Sequence, residues 1–136
     1  MVKEIMHDPL FLSQKSEPAT EEDRQVVVDL LDTLRAHLDG CVGMAANMIG
    51  VLKNIIVVCS GKNQVAMVNP VIIKKAKAYP AEEGCLSLPG IKKCIRYKEI
   101  EVEFLDADFK PKKARYTGYT AQIIQHEIDH CNGILI

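Results

Sequence analysis

No stretch of this chain is long and apolar enough to cross a bilayer. A spanning helix needs roughly 18–20 consecutive apolar residues, and every apolar run here is interrupted well before that. Met1 to Leu12 carry acids and a proline and lack the apolar core of a secretory signal. Neither sign of charge is in excess: 17 basic residues face 18 acidic ones, for a net charge of −1. That gives no electrostatic reason to expect nucleic acid or an anionic membrane as a direct partner. There is no C-x-x-C pair. The cysteines at 41, 59, 85, 94 and 131 are odd in number and scattered, so they read as small, reduced thiols and not as a disulfide framework. Repeats and low-complexity segments are also absent. What remains is the expectation of a cytoplasmic protein whose 136 residues make one domain with a real core and are too few for two.

The elements follow from spacing. Met1 to Ala19 reads as irregular, with Pro9 and Pro18 as breakers. Thr20 followed by Glu21, Glu22 and Asp23 is a helix start, with a cap and then acids that favour the dipole. Val26, Val27, Leu30, Leu31, Leu34 and Leu38 recur at helical spacing up to a stop near Gly40. His37 near that end reads as a surface residue or a cation favourable to the dipole. Cys41 to Gly50, small and apolar, is either a tight connector or one wall of a cleft. Asn54–Cys59 and Gln64–Val68 form a hairpin, Asn69-Pro70 breaks it, and Val71–Ala78 is a third strand. Lys93–Phe104 and Lys112–Thr117 are strands around a turn at Asp106–Asp108, and a last helix runs from a cap at Thr117–Thr120 to Asn132 and Gly133. Apolar residues surround that helix, so it is expected to be buried. The fold class is α+β: mostly antiparallel sheets packed around the last helix.

That helix carries Gln125-His126-Glu127-Ile128-Asp129-His130. At about 100° per residue, the two histidines lie one turn apart on one face and can grip one divalent metal. Glu127 is offset around the helix, where it reaches a metal-held water without being a ligand. Cys85, in Glu82-Glu83-Gly84-Cys85-Leu86-Ser87-Leu88-Pro89, is a credible third ligand beside a segment that reads as extended. A thiolate with two imidazoles leaves a fourth position for water, the mark of a catalytic site. Glu127 would then move a proton from water to a departing amine, and the backbone N–H of Leu86 would donate to the oxyanion. The residues point to a metal-dependent hydrolase of an amide or formamide.

Three segments together resemble peptide deformylase, a family with G-x-G-x-A-A-x-Q, then E-G-C-L-S, then Q-H-E-x-D-H in that order. The likeness spans nearly the whole chain. It implies that Cys85, His126 and His130 bind the metal, Fe(2+) in the cell and Zn(2+) or Ni(2+) as alternatives, that Glu127 is the acid and base, and that the substrates are N-formylmethionyl nascent peptides. It also implies an apolar methionine pocket, with Val42, Gly43, Met48, Leu86 and Ile123 as candidates together with the strand up to Leu88, and association with the ribosome during translation. The first motif departs from the pattern. Cys41 stands at its opening glycine, and Met48 stands where the family's glutamine donates to the formyl oxygen. A thioether cannot donate, and one lost donor costs about 2.7–4 kcal/mol. The alternative expectation is therefore a deformylase-like metal-binding protein with little turnover, and a third is another amidase or peptidase on the same fold. The chain ends at Ile136, whereas many bacterial members continue with a further segment around the cleft.

Several further residues invite a role at this level. Asp129 could orient a ligand or pair with Arg96. Glu83 could hold backbone near Cys85 or be solvated. Cys131 points away from the histidines into the core. Lys74, Lys75, Lys77, Lys92 and Lys93 form a modest basic surface that could face ribosomal RNA, but in a chain this neutral it reads better as a solvated face, and Met44 and Met48 read as cleft packing.

Overall fold

The computed structural model describes residues 1–136. Five strands, β1 (Gly43–Ala45), β2 (Ile55–Ser60), β3 (Asn63–Gly84), β4 (Ile91–Leu105) and β5 (Pro111–Thr117), form one antiparallel sheet in chain order. Three α-helices accompany it: α1 (Pro9–Leu12), α2 (Arg24–Ala36) and α3 (Gly118–Cys131). The class is α+β, with one continuous sheet where several were expected.

Alternation along β2 explains how one sheet serves two helices. Successive side chains of a strand point to opposite faces. Ile55 and Val57 join a cluster with Val27, Leu30 and Leu34 of α2. Ile56 and Val58 join another with Ala121, Ile123 and Ile124 of α3. An unbroken Ile-Ile-Val-Val run is therefore what a strand sandwiched between two helices requires. Cys131 lies in the α3 cluster, as expected from its direction on the helix.

The α2 helix begins as a 3-10 turn at Glu21–Asp23, where the Asp23 carboxylate accepts the Thr20 N–H at 2.9 Å. It ends at Ala36, with the His37 Nδ1 donating back to the Thr33 carbonyl oxygen at 2.8 Å. The segment before it is not wholly irregular. Asp8 caps the short α1, and Ser16 N–H donates to the Cys131 carbonyl oxygen at 2.8 Å, tying the N-terminal segment to the end of α3. At that end Gly133 has φ +75°. A methyl group there would lie 2.4 Å from the Ser13 carbonyl oxygen, so both conformation and close approach demand glycine.

Asn69-Pro70 is not a break. The second and third expected strands are one strand, β3, with register shifts between Val68 and Val71 and between Ile72 and Lys74. Asn69 takes φ +51°, and its amide exchanges two hydrogen bonds with the Ala19 backbone, at 2.8 and 3.0 Å. A bulge absorbs the proline and the strand continues. This matters for the site, because the uninterrupted β3 carries the chain out along β4 to the pair Gly84 and Ile91. Cys85 is presented at the tip of that ribbon. The Leu-Ser-Leu-Pro segment after it bends instead of extending. The lysines of β3 are exposed, and Lys74 and Lys77 face Glu101 and Glu99 across the sheet at 3.7 and 3.6 Å.

Candidate metal centre

His126 and His130 lie on α3 with their Nε2 atoms 3.1 Å apart. The Cys85 Sγ is 3.3 Å from the His130 Nε2, and the three donor atoms all fall within 4.8 Å of one another. Ser87 N–H donates to the Cys85 Sγ at 3.4 Å, while the Ser87 carbonyl oxygen accepts from the His7 Nδ1 at 2.9 Å. The N-terminal segment thus steadies the bend that presents the thiol.

Behind the histidines lies a charged network. The Glu83 carboxylate accepts from the His126 Nδ1 at 2.7 Å, from the Arg96 Nε and Nη2 at 2.9 and 2.7 Å, and from the Gln122 Nε2 at 2.9 Å. The Arg96 Nη1 reaches the Asp129 Oδ2 at 2.7 Å. Burial pushes the Glu83 carboxyl up, but the hydrogen bonds of His126 and Arg96 outweigh it and hold Glu83 well below the usual carboxylate range. An ionised Glu83 only accepts, so the Nδ1 of His126 carries hydrogen and its Nε2 faces His130 and Cys85. The expected pairing of Asp129 with Arg96 is present. Glu83 is neither a backbone clamp nor solvated: it is 8 % exposed and sets the ring of His126.

The donor set fits a divalent cation. Burial lowers the proton affinity of both rings. In His126 the hydrogen bonds with Cys85 and Glu83 overcome it and raise the ring above its ordinary value. In His130 burial and the His126 charge act together and push the ring down. Two imidazole nitrogens at this separation cannot both carry hydrogen, so they share one proton or one metal ion between them. A thiolate and two neutral imidazoles accommodate a divalent metal in place of that proton.

Glu127 is 4 % exposed, and its Oε1 has no hydrogen-bond partner in the protein. Burial raises its carboxyl to about 7, although the His126 charge pulls the other way. Gly43 of β1 explains how a carboxylate fits there. A methyl group on Gly43 would lie 2.6 Å from the Ile123 Cγ2 and 3.1 Å from the Glu127 Oε2. Only glycine lets β1 come this close to α3.

A cleft of about 250 Å³ opens over these groups. All five expected pocket residues, Val42, Gly43, Met48, Leu86 and Ile123, line it with Cys85, His126 and Glu127. Leu88 does not; it is buried at 8 % exposure. Met48 is 1 % exposed, and its Sδ accepts the Ala45 N–H at 3.5 Å. The Leu86 N–H donates to no acceptor in the protein. Sequence reasoning missed Glu83 as the partner of His126, and Gln122 in the cleft wall. A signal for Glu83 existed: it is two residues from Cys85 at a strand end, on the same face, and ligating histidines ordinarily have a carboxylate behind them.

A buried, unpartnered carboxylate beside three converging soft donors, at the floor of a cleft, places this protein among the metallohydrolases. The polypeptide deformylase family model matches residues 2–136. The chain is 58 % identical over 136 residues to the peptide deformylase of Clostridium beijerinckii, covering 100 % of both chains. It therefore belongs to the peptide deformylase family, which acts on formylated nascent peptides. Among solved structures, a peptide deformylase from Legionella pneumophila superposes with a TM-score of 0.88 at 33 % identity, over 99 % of this chain and 83 % of that one. A Met-Ala-Ser-bound class I type b peptide deformylase from Acinetobacter baumannii superposes at 0.87 with 29 % identity, over 99 % and 97 %. No helix is long and apolar enough to cross a membrane.

Proposed function

We propose that residues 1–136 form one catalytic domain that removes the formyl group from N-formylmethionyl peptides, in the cytoplasm, as nascent chains leave the ribosome. Cys85, His126 and His130 would hold one divalent ion, ferrous in the cell, with zinc or nickel as substitutes that suit the same donors. When bound, that ion supplies Lewis acidity and makes a water molecule acidic near neutral pH. The observation that carries the reading is the convergence of the three donors within 4.8 Å, with the buried Glu127 beside them.

The protein's own groups then divide the work. Glu127 takes a proton from the attacking water and delivers it to the amine nitrogen as the formyl C–N bond breaks, releasing formate. Burial favours this exchange, because a carboxyl raised to about 7 both accepts and returns a proton near neutrality. Leu86 N–H donates to the oxygen that becomes negative. Val42, Gly43, Leu86 and Ile123, with Met48 behind them, receive the methionine side chain. Glu83, fixed by Arg96, keeps the His126 Nε2 aimed at the metal position.

A second reading, metal binding with little turnover, has one observation in its favour. Met48 packs inward and satisfies Ala45 N–H, so no side-chain amide stands where the family's glutamine donates. Metal content and turnover of formyl-Met-Ala-Ser test both. A metal-loaded protein that releases formate supports the first reading, and one that binds metal and releases none supports the second.

A further inference from the structure

One polar side chain in the cleft wall is left with a spare donor. Gln122 lies one helical turn before His126 and faces the cleft beside Ile123 and Glu82. Its Oε1 accepts from the Tyr79 hydroxyl at 2.9 Å, and its Nε2 donates to the Glu83 Oε2 at 2.9 Å. The orientation of this amide is not free. Arg96 donates to both oxygens of Glu83, so Glu83 is the acceptor for the amide nitrogen and the amide oxygen is left to the Tyr79 hydroxyl. One of the two Nε2 hydrogens is thereby used. The other has no acceptor in the protein. Beside the apolar Val42, Leu86 and Ile123, the wall thus presents a fixed N–H group.

We propose that this N–H reads an acceptor at the end of the substrate's first side chain, so that the enzyme also deformylates peptides beginning with N-formylmethionine sulfoxide. The inference rests on the deformylase reading above and adds a substrate class to it. A thioether sulfur is a weak acceptor, whereas the sulfoxide oxygen is a strong one, and an all-carbon side chain offers none. Oxidised methionine is polar and would be rejected by a purely apolar pocket, since its oxygen would lose water and gain nothing. Here it gains Gln122. The chemistry at the formyl carbon is unaltered: water adds, the C–N bond breaks, formate leaves, and the sulfoxide is neither reduced nor oxidised.

The test compares kcat/KM for formyl-Met(O)-Ala-Ser and formyl-norleucyl-Ala-Ser in the metal-loaded wild type, in Gln122→Leu and in Tyr79→Phe. Loss of one hydrogen bond corresponds to about fivefold or more. The sulfoxide-to-norleucine ratio is expected to fall by that factor in Gln122→Leu, and by less in Tyr79→Phe, which frees the amide to turn. An unchanged ratio in both variants overturns the proposal. So does an equal fall for both substrates, the result of an amide that merely props Glu83. Calorimetry with unformylated Met(O)-Ala-Ser and norleucyl-Ala-Ser reads the same preference without turnover. Preferential sulfoxide binding by a protein that releases no formate would refute the deformylase reading and uphold the side-chain inference. Equal binding of the two tripeptides by the wild type would refute the inference alone.

Discussion

Glu83 and His126 are joined at 2.7 Å through the ring nitrogen that does not face Cys85. The same carboxylate is gripped by two nitrogens of Arg96, so one buried group fixes the direction of the His126 ring and neutralises a buried cation. Replacing it acts on both. Glu83→Gln is expected to weaken metal retention by about 10–100-fold, measured by competition with a chelator. It also leaves Arg96 short of a counter-charge, at a cost of roughly 3 kcal/mol, measured by denaturant unfolding of the metal-free protein. A variant that holds metal and folds as the wild type does would show that the network is dispensable.

Glu127→Gln separates binding from chemistry. The amide is nearly isosteric and leaves Cys85, His126 and His130 untouched. Metal content should stay stoichiometric, while turnover of formyl-Met-Ala-Ser falls by about 10²–10⁴. Retained turnover would remove Glu127 from its proposed role as acid and base.

Met48→Gln asks whether the missing donor limits the rate. If it does, kcat rises, by as much as about 10² for one restored donor. Met48 is almost wholly buried and lies in the same cluster as Cys41, where the family pattern has glycine. The glutamine side chain therefore needs room to leave the core. The double variant Cys41→Gly/Met48→Gln should gain more than Met48→Gln alone, and steady-state kinetics on the three proteins would show it. Equal rates in all three would mean that the oxyanion is already fully stabilised.

Gly43→Ala tests the close approach of β1 to α3. The added methyl meets the Ile123 Cγ2 at 2.6 Å, so β1 or Ile123 must shift. Overpacking of this kind costs about 1–3 kcal/mol, and a displaced Glu127 lowers kcat as well. Pairing it with Ile123→Val should recover part of both losses in the same unfolding and rate assays.

The buried thiols give a pH signature. Burial raises Cys41 from 9.0 to about 11 and Cys131 to about 12. Between pH 9 and those values the unfolded chain has lost thiol protons that the folded chain keeps. Stability is therefore full below pH 9 and falls as pH rises through this window. Thermal melts at pH 8 and pH 10.5 should show the fall, and Cys131→Ala should make it shallower. Neither thiol should alkylate at pH 8 until the protein is unfolded.

What the sequence made legible was local. Both histidines and Glu127 come from one helix whose period places them, and of the five residues expected to line the cleft, Val42, Gly43, Met48 and Leu86 come from motif positions and Ile123 from the helix turn before the histidines. The thiol at Cys85 was recognisable by its type and its family motif, but not by any spacing. The network behind the site was not legible, because Glu83, Arg96 and Gln122 meet only after β3 pairs with β4 and both fold onto α3. The same holds for Asn69-Pro70. A breaker by composition becomes a bulge because Ala19, 50 residues away, supplies the partners for the asparagine amide. The expected extended run after Cys85 failed because the ribbon must turn there to bring β4 back.

The Cys85–His130 contact spans 45 residues, while His126 and His130 are separated by four. Two of the donors thus come together as soon as one helix forms. The third arrives only when the longest ribbon in the molecule, paired from Gly84 and Ile91 at its tip back to its bulge at Asn69, has folded onto α3. Contacts of such separation form late, because the entropy of closing the loop is spent before they repay it. Tight metal capture should therefore mark the end of folding. A newly made chain holds a metal firmly only once nearly everything else about it is in place.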